Sequence, residues 1–239
     1  MVAHRTIIVD MNKGKPILCY AMPSEVKPIL DRVETLSEES YGQAKLYDCR
    51  YEGKTFYILA AGIGKVAAGA SLAATLCQKD VTHVFNIGVG GSIDAARAPS
   101  RTAVIGSRYA QHDVDTSAIG DPVGLISGIY LTYLPSDEEG QKKLIKACVK
   151  FGVPYNVGTI ASGDLFVSKA EERKRIKALF DAVSCDMETA AFAQVAYTYG
   201  KPFNGLRMIS DAESAGEYEK NIPYCTEMAT DIALEMLLS

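Results

Sequence analysis

Residues 54–92, KTFYILAAGIGKVAAGASLAATLCQKDVTHVFNIGVGGS, decide the fold class because they contain a strand, a helix and another strand in succession. Residues 54–60 are mostly aromatic and branched, as in a strand, and residues 65–78 form an alanine-rich helix pattern. A glycine turn, Gly62-Ile63-Gly64, separates them, and residues 83–87 form a second apolar strand. This alternation predicts an α/β fold with a parallel or mixed central sheet.

The alternation continues on both sides of this segment. A hairpin is predicted across the tight turn Glu52-Gly53, and capping boxes are expected to open helices at Ser136 and Ser168. No linker or repeat interrupts the pattern, so we expect a single domain over residues 1–239, with 1–15 as an N-terminal extension. The predicted strands are residues 16–21, 45–51, 54–60, 83–87, 103–107 and 203–209, and the predicted helices are residues 23–36, 65–78, 136–150, 168–180, 188–199 and 224–238.

The composition of the chain excludes several classes of function. A net charge of −4 over 239 residues gives no electrostatic basis for binding nucleic acid or an anionic membrane. No apolar run reaches the roughly 18 residues of a membrane span, and residues 1–15 lack the apolar centre of a signal peptide. The six cysteines are scattered without a Cys-x-x-Cys pair, which favours reduced core thiols over zinc ligands or disulfides. We therefore expect a cytoplasmic protein.

Acidic residues within apolar segments give the first indication of a functional site. Glu188 lies between a methionine and an alanine run, and Asp211 follows Met208-Ile209 at the end of a predicted strand. Ionised carboxylates disfavour burial unless another group pairs with them. Glu25 lies in the first turn of a predicted helix, where an acidic residue can simply stabilise the helix dipole. Each residue has such a structural explanation alone, but three at the ends of separate elements favour an acid–base or hydroxyl-binding pocket.

Two glycine motifs and one histidine motif leave alternatives open. Gly62-Ile63-Gly64-Lys65 follows a strand and opens a helix, as in a dinucleotide site, but no acidic residue follows at the right place, so a tight turn is favoured. Gly88-Val89-Gly90-Gly91 either lets a ligand approach the backbone or forms a turn with positive φ. His112-Asp113-Val114-Asp115 could bind a metal, but no other histidine is close in the sequence. A hydrogen-bonded loop or a subunit contact is therefore favoured, and we expect no metal and no cofactor.

Seven segments occur in a specific order along residues 16–238: Ala21-Met22-Pro23-Ser24-Glu25-Val26, Ala61-Gly62-Ile63-Gly64-Lys65-Val66, Asn86-Ile87-Gly88-Val89-Gly90-Gly91, His112-Asp113-Val114-Asp115, Ala161-Ser162-Gly163-Asp164-Leu165-Phe166-Val167, Asp186-Met187-Glu188-Thr189-Ala190-Ala191 and Arg207-Met208-Ile209-Ser210-Asp211. In this order they resemble the nucleoside phosphorylase/nucleosidase superfamily, and within it the methylthioadenosine/S-adenosylhomocysteine nucleosidases. The resemblance implies a three-layer α/β/α nucleoside phosphorylase-like fold with a central mixed sheet. It also implies hydrolysis of the N-glycosidic bond of a 5′-modified adenosine, as in methionine salvage.

The resemblance also implies a role for each site residue. Glu25 would activate water, and Asp211, supported by Ser210, would protonate the purine at N7. A purine leaves poorly until N7 is protonated, and the ribose then becomes oxocarbenium-like, which favours a carboxylate and a water on the opposite side. The other predicted substrate-binding residues are Phe166 and the Val167 backbone for the base, Met187 and Glu188 for the ribose, Met22, Ile63 and Tyr218 for the 5′ group, and Val89, Gly90 and Arg207.

Two alternatives to a hydrolase remain. A phosphorylase of the same fold would need a phosphate cradle where this chain has Met22-Pro23-Ser24-Glu25, and a carboxylate there would repel phosphate. A non-catalytic nucleoside-binding module is supported only by two departures from the family pattern: Val89 replaces a usual serine, and Arg101-Thr102 replaces a usual Gly-Asp pair. The expected partners are a small nucleoside and a second copy of the chain. In this homodimer, residues 112–124 would complete the neighbour's 5′ pocket.

Overall fold

The computed structural model describes residues 14–212 and 215–239, which form ten strands, six α-helices and one short 3-10 helix, Ser117–Ile119. The predicted N-terminal extension lies outside the described residues apart from Gly14 and Lys15. In chain order the elements are β1 (Lys15–Tyr20), α1 (Pro23–Leu30), β2 (Glu34–Tyr41), β3 (Ala44–Tyr51), β4 (Lys54–Ala60), α2 (Lys65–Gln78), β5 (Val81–Ser92), β6 (Ala103–Gln111), β7 (Leu134–Pro135), α3 (Glu138–Lys150), β8 (Tyr155–Ser162), α4 (Ala170–Phe180), β9 (Ala182–Asp186), α5 (Thr189–Thr198), β10 (Phe203–Asp211) and α6 (Ala215–Leu238).

The strands form one mixed sheet whose pairing partly closes on itself. β5 lies parallel to β10, the sheet continues through β6, β8 and β9, and the end of β9 pairs back with the end of β5. On its other side β5 pairs with β1, and β1 pairs with β4. The antiparallel strands β4, β3 and β2 then extend the sheet. The predicted mixed sheet and the predicted hairpin are therefore confirmed.

Helices cover both faces of this sheet, as a three-layer fold requires. α2 and α5 pack on one face through the fully buried side chains of Leu72 and Phe192. α1, α3 and α6 pack on the other face through Ile29, Leu144 and Ile232, which are equally buried. Within residues 14–212 and 215–239, every helix lacks either the length or the apolar character needed to cross a bilayer.

The sequence predicts the first helix to continue to about residue 36, into the start of β2, and this prediction is wrong. α1 ends at Leu30 instead of near residue 36, and Asp31 closes its last turn. Residues 34–41 pair antiparallel with β3. Their side chains are nearly all exposed, so the segment lacks the apolar alternation that indicates a strand. Backbone pairing with β3, and not a pattern of its own, makes this segment a strand.

The two predicted capping boxes are not the caps that the structure shows. The side chain of Asp137, not that of Ser136, accepts a hydrogen bond from a backbone N–H in the first turn of α3. The Ser136 hydroxyl is used elsewhere, since it accepts a hydrogen bond of 2.8 Å from the Asn204 side chain. α4 begins after Lys169 without a side-chain cap, so the predicted cap at Ser168 is also wrong.

Several elements are longer than the sequence predicts. α6 begins at Ala215, well before residue 224, and continues through Pro223 without a break. β5 continues beyond residue 87 to Ser92, and β6 continues beyond residue 107 to Gln111. These extensions carry the backbone to the edge of the sheet where the predicted site residues lie.

Candidate active site

One cavity brings together almost all the residues that the sequence predicts for the site. It lies beyond the ends of β1, β8, β9 and β10, the position expected for a site in such a sheet. Every predicted catalytic and substrate-binding residue lines this cavity except Arg207. The other residues of the lining, not predicted one by one, are Ala21, Gly91, Leu165, Cys185 and Asp186.

The two glycine motifs have different structural roles. Residues 88–91 continue β5, so the turn with positive φ is wrong there. Gly88 is needed for a close approach, because a Cβ atom at this position would collide with the carboxylate of Glu25. Gly64, in the other motif, has a φ of 95°, which confirms the predicted tight turn between β4 and α2.

Glu25 is held by three backbone N–H groups. It lies in the first turn of α1 and is 5% exposed. Its Oε2 accepts hydrogen bonds from the N–H of Met22 at 2.9 Å and of Ala21 at 3.2 Å, and its Oε1 accepts one from Val89 at 2.8 Å. Burial raises the pKa of Glu25, while the charge of Arg207 and the three N–H donors oppose that rise. Donors on both oxygens favour an ionised carboxylate that faces the cavity.

Glu188 connects the start of α5 to the glycine turn before α2. It is 6% exposed, and its Oε1 accepts a hydrogen bond of 2.8 Å from the Gly64 N–H. Burial, and then the nearby charge of Asp186, raise the pKa of Glu188 to about 7. Its Oε2 has no hydrogen-bond partner among the residues that the structure describes, so this carboxylate at the cavity wall can accept hydrogen bonds from hydroxyl groups.

Arg207 lies behind the cavity wall, in a buried ionic network, and not in the lining. Its Nε donates to Asp186 Oδ2 at 2.5 Å, and its Nη2 donates to the Asn86 side chain. Asp186 also accepts hydrogen bonds from the Ser162 hydroxyl at 2.5 Å and from the Thr189 backbone at 3.1 Å. The sequence predicts that Arg207 contacts the substrate, but the structure places it outside the cavity lining. Asp186 and Asn86 accept its hydrogen bonds instead. The network fixes the segment that carries Glu188.

Asp211 ends β10 and is 3% exposed. The Ser210 hydroxyl donates to its Oδ1 at 2.8 Å, and Arg173 Nη2 approaches its Oδ2 at 3.4 Å. Burial raises the pKa of Asp211, while the Ser210 hydrogen bond and the charge of Arg173 oppose the rise. Asp211 pairs with Gly91 of β5, and Glu25 accepts a hydrogen bond from Val89 of the same strand. Gly91 and Val89 are two residues apart, so the contacts made by Asp211 and by Glu25 lie about 7 Å apart along β5.

The histidine motif forms a hydrogen-bonded loop, as favoured from the sequence. Asp113 accepts hydrogen bonds from Lys65 Nζ at 2.7 Å and from the Asp164 N–H at 2.9 Å. Asp164 in turn accepts one from the Lys65 N–H at 2.8 Å. These contacts join the start of α2 to the loop that follows β8, which carries Phe166.

Aromatic side chains form one wall of the cavity. The rings of Phe166 and Tyr218 meet edge to face with centroids 5.9 Å apart. The Tyr218 hydroxyl donates to the sulfur of Met22 at 3.4 Å. Phe166 is 52% exposed, so its ring can stack on a flat ligand.

Sequence reasoning did not identify Asn86, Asp186 or Arg173 as part of the site. Asn86 is fully buried within the apolar run of β5. A polar residue in an apolar segment is the same signal that indicated Asp211, and it could have identified Asn86. Arg173 gave no such signal, because it belongs to a run of charged residues at the start of α4.

Comparisons with known proteins agree with this geometry. The family model of the phosphorylase superfamily matches residues 17–238. The 5′-methylthioadenosine/S-adenosylhomocysteine nucleosidase of Actinobacillus succinogenes is 32% identical over 91% of this chain and 95% of its own length. That of a Marinomonas species is 31% identical over 92% of this chain and 96% of its own.

Solved structures of nucleoside hydrolases have the same fold as this chain. The Helicobacter pylori 5′-methylthioadenosine/S-adenosylhomocysteine nucleosidase, crystallised with butyl-thio-DADMe-Immucillin-A, has a TM-score of 0.88 and 26% identity, covering 94% of this chain and 98% of that one. Futalosine hydrolase of Helicobacter pylori has a TM-score of 0.87 and 25% identity, covering 93% and 97%. The chain therefore belongs to the phosphorylase superfamily and, within it, to the family of the 5′-methylthioadenosine/S-adenosylhomocysteine nucleosidases.

Proposed function

We propose that this chain is a purine nucleosidase, which hydrolyses the N-glycosidic bond of 5′-methylthioadenosine, S-adenosylhomocysteine or a related 5′-substituted adenosine and releases adenine. A cavity whose lining includes the buried carboxyl groups of Glu25, Glu188 and Asp211, together with the exposed ring of Phe166, carries the proposal. The names of its relatives support the substrate class. The proposal includes a single domain, a cytoplasmic location and a place in methionine salvage.

Asp211 acts in this proposal as the acid for the leaving group. Adenine departs readily only when N7 receives a proton. The raised pKa of Asp211, caused by burial, keeps a larger fraction of its carboxyl group protonated at neutral pH. Phe166 would stack on the base, and the Val167 backbone would pair with its edge.

Glu25 acts as the base that activates water. Its N–H donors favour the ionised form, and an ionised carboxylate also stabilises the positive charge that develops on the ribose. Met187 and Glu188 would bind the ribose hydroxyls. Met22, Ile63 and Tyr218 would line the apolar 5′ pocket.

Water is favoured over phosphate as the nucleophile. The residues that line the cavity include no lysine or arginine in the part of the chain that the structure describes. A phosphate dianion at the position facing Glu25 would meet a carboxylate. The arrangement therefore favours hydrolysis over phosphorolysis.

We expect the purified protein to release adenine from 5′-methylthioadenosine at the same rate with and without inorganic phosphate. Chromatography of the products would measure the rate, with S-adenosylhomocysteine, adenosine, deoxyadenosine and inosine assayed in parallel. Strict dependence on phosphate would show a phosphorylase instead. Tight nucleoside binding without base release over hours would show a binding module.

We also propose that the chain is a homodimer. Large apolar side chains are exposed beside the cavity mouth, with Ile63 58%, Val66 81% and Leu165 45% exposed. Ile119, which is 81% exposed, lies in the passage 112–124, which the Lys65–Asp113 ion pair connects to the start of α2. Exposed apolar surface of this kind indicates a protein interface.

Val66→Glu is expected to convert the dimer into a monomer, because it places a charge in the proposed interface. Sedimentation equilibrium would measure the mass of both proteins. Val149→Glu is the matched control, since Val149 is 61% exposed on α3, on the opposite face of the sheet. A monomeric wild-type protein, or a dimer that persists in Val66→Glu, would contradict the proposed interface.

A further inference from the structure

α4 has an arginine on the face that it buries. Ile176 and Phe180 are 0% and 1% exposed and point into the protein. Arg173 precedes them by three and seven residues, so it lies on the same face of the helix. The side chain of Arg173 is only 15% exposed. A guanidinium in a position that suits an apolar residue must find hydrogen-bond acceptors there.

The acceptors of Arg173 are Asp211 and the residue after it. Arg173 Nη1 donates to the Ala212 carbonyl oxygen at 2.5 Å, and Nη2 lies 3.4 Å from Asp211 Oδ2. Arg173 itself is not part of the cavity lining. One planar group therefore contacts both the carboxyl group of Asp211 and the backbone that follows it.

We infer that Arg173 is a positioning residue for the leaving-group acid: it orients the Asp211 carboxyl group and stabilises the carboxylate that forms on proton transfer. The inference rests on the proposed role of Asp211. In that step the Asp211 O–H bond breaks and an N7–H bond forms. The C1′–N9 bond breaks with its electron pair going to the base, and the carboxylate keeps the electrons of the O–H bond. The new negative charge then faces the Arg173 guanidinium.

The pH dependence of this acid depends on all the groups that face it. Burial raises the pKa of Cys185 and of Cys225 to about 12, and it also raises the pKa of Tyr218, so these groups are neutral at neutral pH. The charged groups that face Asp211 are Arg173 from α4 and Glu217 from α6. Four elements contribute the groups that face Asp211. These groups are Ser210 of β10, Cys185 of β9, Arg173 of α4, and Glu217, Tyr218 and Cys225 of α6.

Removing Arg173 should make Asp211 a weaker acid. Asp211 must be protonated to act, so activity falls as the pH rises through its pKa. Arg173 lowers this pKa against the effect of burial. In Arg173→Met the alkaline limb of kcat/KM for 5′-methylthioadenosine should therefore move upward by roughly 1 pH unit. Arg173→Lys, which keeps the charge, should give a smaller shift.

Lys174→Met is the matched control, since it removes one positive charge from an exposed neighbouring position of α4. Its alkaline limb should coincide with that of the wild type. A lower rate in Arg173→Met with an unmoved limb would overturn the inference and leave a purely structural role. If Arg173→Met fails to fold, Arg173→Lys and Arg173→Gln supply the same comparison.

A readout that does not need turnover separates this inference from the proposed role of Asp211. Protein labelled with ¹³C in its aspartate carboxyl groups allows the Asp211 resonance, assigned by its loss in Asp211→Asn, to be titrated directly. We expect a higher Asp211 pKa in Arg173→Met than in the wild type. An unchanged pKa would refute the effect of Arg173. An active Asp211→Asn would instead refute the role of Asp211 as the acid.

Discussion

Asp211→Asn should lower kcat for adenine release by about 10²- to 10⁴-fold, the usual contribution of a general acid. The amide keeps the shape of the side chain and can still accept the hydrogen bond from Ser210. Its NH₂ group can donate a hydrogen bond to N7, but it cannot transfer a proton. The variant should therefore still bind the nucleoside while it fails to cleave it.

The effect of Asp211→Asn on protein stability can be separated from its effect on the reaction. The amide cannot pair with both of its neighbours, because an NH₂ group turned toward Arg173 faces another donor. Thermal unfolding would reveal that loss, and calorimetric titration with 5′-methylthioadenosine would show whether binding is kept. Asp80→Asn makes the same change at a carboxylate whose side chain is 75% exposed, and it should leave kcat unchanged. An Asp211→Asn variant as active as Asp80→Asn would contradict the assignment of the acid.

Two of the predicted site residues could be found in the sequence because their burial conflicts with their charge. Glu188 and Asp211 interrupt apolar segments, and only a site or a buried ion pair explains such positions. The helix at residues 65–78 was predictable with its bounds, since an alanine-rich run after a glycine turn has few other conformations available. Local pattern was sufficient in these places.

Other features depend on contacts that no local pattern contains. β2 is a strand because β3 pairs with it, and its polar side chains carry no alternation. Gly88 resembles a turn residue in the sequence, yet it lies in a strand and leaves room for Glu25 from another element. Arg173 differs from the charged residues around it only because it lies on the buried face of α4, where it contacts Asp211. Tertiary packing decides each of these cases.

Glu25 has two structural roles, stabilising the helix dipole and accepting hydrogen bonds from backbone N–H groups, and the sequence alone could not separate them. An acidic residue in the first turn of a helix stabilises the helix dipole, and this contribution is typically below about 1 kcal/mol. In the structure its two oxygens also accept hydrogen bonds from three N–H groups, those of Ala21 and Met22 just before α1 and that of Val89 in β5. Glu25 therefore fixes the position of the first helix against the central strand while its carboxylate faces the cavity.

Glu25→Gln should reduce hydrolysis by about 10²- to 10⁴-fold, because an amide cannot accept a proton from the attacking water. It should also destabilise the fold by roughly 1–3 kcal/mol, since its NH₂ group must face a backbone N–H that the carboxylate now satisfies. Glu138→Gln, which removes an exposed first-turn acid of α3, measures the helix-dipole contribution alone. Rates taken well below the unfolding midpoint of each variant separate chemistry from stability. If Glu25→Gln then hydrolyses the nucleoside as fast as Glu138→Gln does, Glu25 is a helix-start residue and water must be activated by another group.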